Sequence, residues 1–193
     1  MRHLIDTYIE ASAPRNISPF ENMSLLEVIA KIGIHNAIQT QLDGMNGNKD
    51  AIAETIENNV RKKIIKERLT DPAYYASMSA LLDEIIAARK AKAIEYEEYL
   101  KRVAEIAKKV EVGQADDTPK KLDSAAKRAL WNNLNHDEDL ALRIDAALLE
   151  KRPEGWRGVH AREQTVKGIL YEILGDVDEV ERVFLIVKAQ AQY

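Results

Sequence analysis

Cysteine is missing from all 193 residues, which removes disulfides, thiolate zinc sites and cysteine nucleophiles and suits a cytoplasmic setting. Glycine and proline are scarce at 8 and 5, and they fall where helices should end, so the expected class is all-α. No apolar run approaches the roughly 18 residues of a membrane span, and the start lacks the charged-then-apolar pattern of a signal peptide. A soluble intracellular protein with no membrane role is the expectation. An excess of positive charge is absent too: 28 Lys and Arg stand against 32 Asp and Glu, so net charge confers no general affinity for nucleic acid, and only local basic patches could.

The chemical motifs searched for are also absent. His3, His35, His136 and His160 never take the i, i+4 spacing that puts two metal ligands on one helical face. No glycine is followed by lysine, as a phosphate-binding loop requires, and no Gly-x-Ser-x-Gly elbow occurs. No acidic residue stands two places before a lysine, the spacing by which restriction-type nucleases present metal ligand and charge stabiliser together. The carboxylates of "YEEY" (96 to 99) and "DVDEVE" (176 to 181) read as solvated helix faces, the second also at a helix start. No catalysis, cofactor or metal is expected of this chain alone.

What the sequence does contain is a succession of helices. After a short helical or extended start (Arg2 to Glu10) and a loop with Pro14 and Pro19, Ser24 and Glu27 form a capping box for a helix through about Ile38. "DGMNGN" reads as a loop, Asn48 as the cap of a helix to about Leu69, and Asp71 with Pro72 as the start of the next. From Ala73 to Val112 there is neither glycine nor proline, which predicts one very long helix or two meeting at a bend. Its seam, Met78, Leu82, Ile85, Arg89, Lys92, Tyr96, Tyr99, Val103, Ile106 and Val110, follows heptad spacing with two basic residues at its middle, where packing should relax. "VGQADDTPKK" (112 to 121) looks like a link. Further helices are placed near 124 to 134, 137 to 151, 160 to 174 and 177 to 190, with "RPEGWRG" (152 to 158) as a tight connection. The predicted architecture is two packed helical bundles: residues 1–112 with the long or bent helix, a linker at 113–122, and residues 123–193.

Asn58 and Asn59 raise a question inside the helix "AETIENNVRKKI" (53 to 64), because asparagine lies roughly 0.5 to 0.7 kcal/mol below alanine in helix preference. Ile52, Ala53, Ile56, Val60 and Ile64 form the core arc, while Glu54, Asn58 and Arg61 stack on the other side, with Glu57 spaced to pair with Arg61. Ile65 and Leu69 lie on or beside that polar stripe. One reading is a helix gripped on two faces, with Glu54, Asn58 and Arg61 in a polar seam; the other is an exposed amide pair. "RKKIIKER" (61 to 68) is either a solvated basic face or, with Lys62, Lys66, Arg89 and Lys92, a DNA contact. Trp156 between Gly155 and Gly158 reads as a buried plug, and Arg157 as a guanidinium suited to a partner's carboxylate or a phosphate.

Six segments carry a family likeness: "RHLIDTYI" (2 to 9), "LLEVIAKIGI" (25 to 34), "AIAETIENNVRKKI" (51 to 64), "YEEYLKRVAEIAKKV" (96 to 110), "AKRALWNNL" (126 to 134) and "GWRG" (155 to 158). In this order the chain resembles the C-terminal helical region of the motor and restriction subunit of type I restriction-modification enzymes. Val159 departs from the pattern, where the family would place Asn, so no amide contact is expected there. The resemblance implies a parent subunit whose nuclease and ATP-driven translocase domains, which use ATP and Mg, precede Met1. It implies for this region a non-catalytic assembly role, holding the motor on the methyltransferase and specificity subunits, with duplex DNA met through the whole complex. The rival readings are a DNA-binding helical module and an independent helical enzyme using Glu97, Glu98 or the histidines.

Overall fold

The computed structural model describes residues 23–45 and 47–193. The expectations for Arg2 to Glu10, Pro14, Pro19 and His3 fall outside them. The described residues are all-α, with nine α-helices and no strand among them: α1 (Leu25–Ile32), α2 (Ile34–Gln41), α3 (Lys49–Glu67), α4 (Pro72–Lys90), α5 (Tyr96–Val112), α6 (Ala125–Asn133), α7 (Glu138–Lys151), α8 (His160–Leu174) and α9 (Val177–Ala189). The stretch after α2 carries one turn of 3-10 helix, Asp43–Met45.

Helix starts follow the caps. The Ser24 hydroxyl accepts from the Glu27 N–H at 3.2 Å while the Glu27 carboxylate accepts from the Ser24 N–H at 2.7 Å. Asn48, Asp71, Ser124 and Asp137 each accept from the N–H three residues on. Such caps contribute about 1 kcal/mol apiece by satisfying donors that the first turn leaves over. The first helix nevertheless stops short of Ile38. Gly33 takes φ 83° and ψ 163°, a region open to glycine almost alone, so α1 ends at Ile32 and α2 starts afresh at Ile34.

The glycine-free stretch from Ala73 to Val112 is two helices folded back on each other. The Tyr74 hydroxyl near the start of α4 donates to the Lys109 carbonyl near the end of α5 at 2.8 Å, so the pair is antiparallel. The reversal is closed by Ala93 N–H to the Ala88 carbonyl and Lys92 N–H to the Arg89 carbonyl, with Lys92 at φ 54°. That is a Schellman stop with lysine at the left-handed position where glycine is usual. Folding back lets Leu82 and Tyr99 enter one core, which offsets the roughly 1 to 2 kcal/mol of the left-handed residue. Lys92→Gly is therefore expected to raise stability by about 1 kcal/mol, read as a higher urea midpoint at unchanged slope.

The buried apolar side chains fall into two clusters, one drawn from Leu25 to Val110 and the other from Leu122 to Tyr193. In the first, α1, α3 and α4 each pack on α5. In the second, α6 packs on α7 and α9, α7 on α8, and α8 on α9. The stretch between them is pinned at both ends: Ala115 packs against the first cluster and Leu122 is buried in the second. The two clusters also meet directly, since α6 packs on α4.

Candidate functional site

Helix α3 holds most of the residues singled out above, and it turns them differently from expectation. Glu57 is not on the solvent side with Arg61; it sits beside Ile56 at the edge of the apolar arc and is only 6% exposed. Its carboxylate accepts from Arg89 Nε at 3.0 Å and from the Tyr99 hydroxyl at 3.0 Å, and Arg89 Nη1 reaches Asp50 at 2.8 Å. Burial lowers the pKa of Arg89, but the Glu57 hydrogen bond and charge more than reverse this and hold it above its usual value. Burial and then the Glu57 charge push the Tyr99 hydroxyl up, so it stays a donor. The polar seam thus exists, but Glu57, Arg89 and Tyr99 form it.

Glu54 and Asn58 are exposed and have no hydrogen-bond or ion-pair partner among the described residues, which corrects the two-sided grip expected of them. Asn59 is half-buried and its amide donates to the Thr55 carbonyl at 2.8 Å. Arg61 crosses to Asp83 of α4 at 2.7 Å. Lys62 and Lys66 are exposed, whereas Arg89 is consumed by Glu57 and Asp50 and Lys92 lies in the α4–α5 reversal. Of the four cations in the rival DNA reading, Arg89 is thus already ion-paired within the chain.

Trp156 is buried as expected, at 1% exposure against Phe184. Arg157 is not held out for a partner. Its guanidinium lies over the Trp156 ring, 4.5 Å from the centroid, and donates to the carbonyls of Lys188, Gln190 and Tyr193. The last carbonyls of α9 and the chain after it carry unsatisfied acceptors and negative partial charge, and a five-donor fork saturates several at once.

Where the two clusters meet, Asp71 is buried and does more than cap α4. Its carboxylate accepts from Asn132 at 2.6 Å and Asn133 at 2.8 Å as well as from the Tyr74 N–H, while Asn133 accepts from the Ala73 N–H and Gln190 donates to the Thr70 carbonyl at 2.6 Å. A cleft of about 340 Å³ opens beside it, lined by Tyr74, Tyr75, Arg128 and Gln190 among others. From the sequence Asp71 reads only as a cap, and nothing local joins it to Asn132 and Asn133, about sixty residues on. Burial pushes the Asp71 carboxyl up to about 6, against the lowering effect of Asn132, the Tyr74 N–H, Asn133 and the Arg128 charge. A raised folded pKa means the folded state keeps a proton that the unfolded chain releases near pH 4. Asp71 therefore contributes stability that is full below about pH 4 and lost as pH rises through about 6, on the order of 3 kcal/mol at most. Urea midpoints of the protein and of Asp71→Asn, compared at pH 4 and pH 7, should differ in this slope; parallel profiles would refute it.

The outer side of α3 ends in an apolar surface. Ile65 is 67% exposed, Leu69 76%, and Leu185 of α9 66%. One cavity of about 440 Å³ lies between Arg61, Ile65 and Arg68 on one side and Ala76, Ser79, Ala80 and Asp83 of α4 on the other. A second of about 450 Å³ is lined by Leu69, Pro72, Leu185 and Ile186, with Arg182 and Lys188 at its rim. The two hollows share no lining residue, but Arg68 of the first precedes Leu69 of the second and Ala76 of the first follows Pro72 of the second by one helical turn, so they adjoin, and the two together are termed the groove.

Among the described residues no helix is long and apolar enough to cross a membrane. No family model, curated protein or solved structure matches this chain.

Proposed function

We propose that this chain is a non-catalytic helical docking domain, the C-terminal assembly region of a type I restriction enzyme's motor subunit. In that role it holds an ATP-dependent DNA translocase and endonuclease on the methyltransferase and specificity subunits, in the cytoplasm. Six ordered segments resembling that family support the reading. The observation that carries it is the groove: Leu69, Ile65 and Leu185 are the three most exposed large apolar side chains among the described residues. An apolar surface of this kind is a cost in water unless another protein covers it. ATP and Mg belong to the parent subunit in this reading, and no residue here is assigned to either. Native mass spectrometry of the chain with the methyltransferase and specificity subunits should give a complex at micromolar concentration; its absence would overturn the proposal.

The alternative, direct contact with duplex DNA, is favoured by Lys62, Lys66 and Arg68, exposed cations with no carboxylate partner among the described residues. Under it, Lys62→Glu with Lys66→Glu would abolish a salt-sensitive gel shift.

A further inference from the structure

We propose that the groove formed by α3, α4 and the end of α9 receives an acidic amphipathic helix from the partner protein; the assignment rests on the docking reading and names the chemistry of what docks. The groove's length fits a helix. From Pro72 to Asp83 the α4 side covers eleven residues of rise, about 17 Å or three turns. Its α4 floor is built of Ala76, Ser79 and Ala80, small enough for another backbone to come close, while Ile65, Leu69 and Leu185 supply apolar walls. Apolar anchors spaced i, i+3 or i+4, i+7 on an incoming helix would lie between them.

Charge selects which helix. The chain has a formal net charge of −4, and three of the four cations that line the groove are matched at short range: Arg61 with Asp83, Arg182 with Glu179, Lys188 with Glu163. The fourth, Arg68, has no carboxylate partner among the described residues, nor do the exposed Lys62 and Lys66 nearby on α3, which line neither hollow. With Arg61, Arg68, Arg182 and Lys188 against the single carboxylate Asp83 among its lining residues, the groove is complementary to carboxylates flanking apolar anchors, and such charges steer encounter and set register more than they add affinity. Duplex DNA would satisfy the cations but leave the exposed leucines and isoleucine in water. The acidic start of α9 on a second copy is a poor match, because Glu179 and Glu181 are already tied to Arg182 and Lys167 and only Val177 there stands out as an apolar anchor.

The test uses the full chain and a synthetic peptide of about 16 residues, with leucines at helical spacing and glutamates on the remaining face, beside a twin with lysines for glutamates. The acidic peptide is expected to shift the methyl signals of Ile65, Leu69 and Leu185 and to bind about tenfold or more tighter than its twin at low salt. Leu69→Glu with Leu185→Glu should remove the binding while leaving the melting temperature unchanged, since both side chains are exposed. Equal binding of the twins, or shifts confined to another surface, overturns the assignment. So does a dimer in sedimentation that Leu69→Glu dissolves, duplex DNA moving the same methyl signals, or Leu4 and Ile5 signals that respond to the double variant without peptide, which would assign the groove to residues 1–22. Against the methyltransferase and specificity subunits, equal capture of protein and double variant removes the groove but keeps the docking reading. Capture of neither, with the peptide still bound, removes that reading and keeps the groove.

Discussion

Glu57→Ala is expected to cost about 3 to 5 kcal/mol of unfolding free energy, close to the largest effect of any single substitution outside the apolar core. The reason is what remains behind. Arg89 stays largely buried with only the well-exposed Asp50 as a counter-charge, and the Tyr99 hydroxyl keeps only the Ala53 carbonyl at 3.2 Å. An uncompensated guanidinium in a partly dry site costs far more than a surface ion pair contributes. Glu57→Gln should lose less, roughly 1.5 to 3 kcal/mol, because the amide oxygen can still accept one bond while the charge is gone. Urea unfolding followed by circular dichroism measures both. A loss below about 1 kcal/mol for Glu57→Ala would mean that water replaces the carboxylate, and the seam would not be structural. Replacing Glu57 and Arg89 together by apolar residues should recover much of the loss, which distinguishes a broken pair from an overall loss of packing.

Trp156→Ala should cost a similar 3 to 5 kcal/mol, for a different reason. Its ring is wholly enclosed, packs on Phe184 with centroids 5.7 Å apart, and carries the Arg157 guanidinium on its face. Truncation opens a cavity in the second cluster and removes the surface that aims Arg157 at the last carbonyls of α9. Trp156→Phe should lose less, because the indole N–H it deletes has no partner among the described residues. Hydrogen exchange gives the readout specific to this arrangement: amides of Val187 to Tyr193 should lose protection in Trp156→Ala before those of α3 do. Uniform loss in both clusters would show that the two unfold as one unit.

Both predictions concern residues whose local sequence said little. Caps are legible because a cap is a short-range event: Ser24 and Glu27, Asn48, and Asp71 with Pro72 each act within three or four residues, and the helices start where those side chains stand. Gly33 was passed over inside an apolar period because periodicity does not register the backbone conformation that ends α1 there. Lys92 carried no stop signal at all, since a lysine enters the left-handed region only when the packing of two helices requires it. Glu57 was assigned to the wrong side because a carboxylate at the margin of an apolar arc turns inward only if a cation arrives from elsewhere, and Arg89 is 32 residues away. The partners of Arg157 (Lys188, Gln190 and Tyr193) and the further partners of Asp71 beyond its cap (Asn132 and Asn133) are distant in sequence in the same way. The likeness to the restriction family, carried by ordered segments rather than by chemistry at a site, named a role without naming a surface. The groove appears only when α3, α4 and α9 are placed side by side.

Asp71 serves two masters, and this constrains how the molecule can move. The same carboxylate that begins α4 also holds Asn132 and Asn133, so swinging α6 away would strip Asp71 of both amide donors and the Ala73 N–H of its Asn133 acceptor, while Gln190 would release the Thr70 carbonyl. A small tilt between the two clusters is thereby penalised by several bonds at once, and the joint behaves as a latch that is either shut or fully undone.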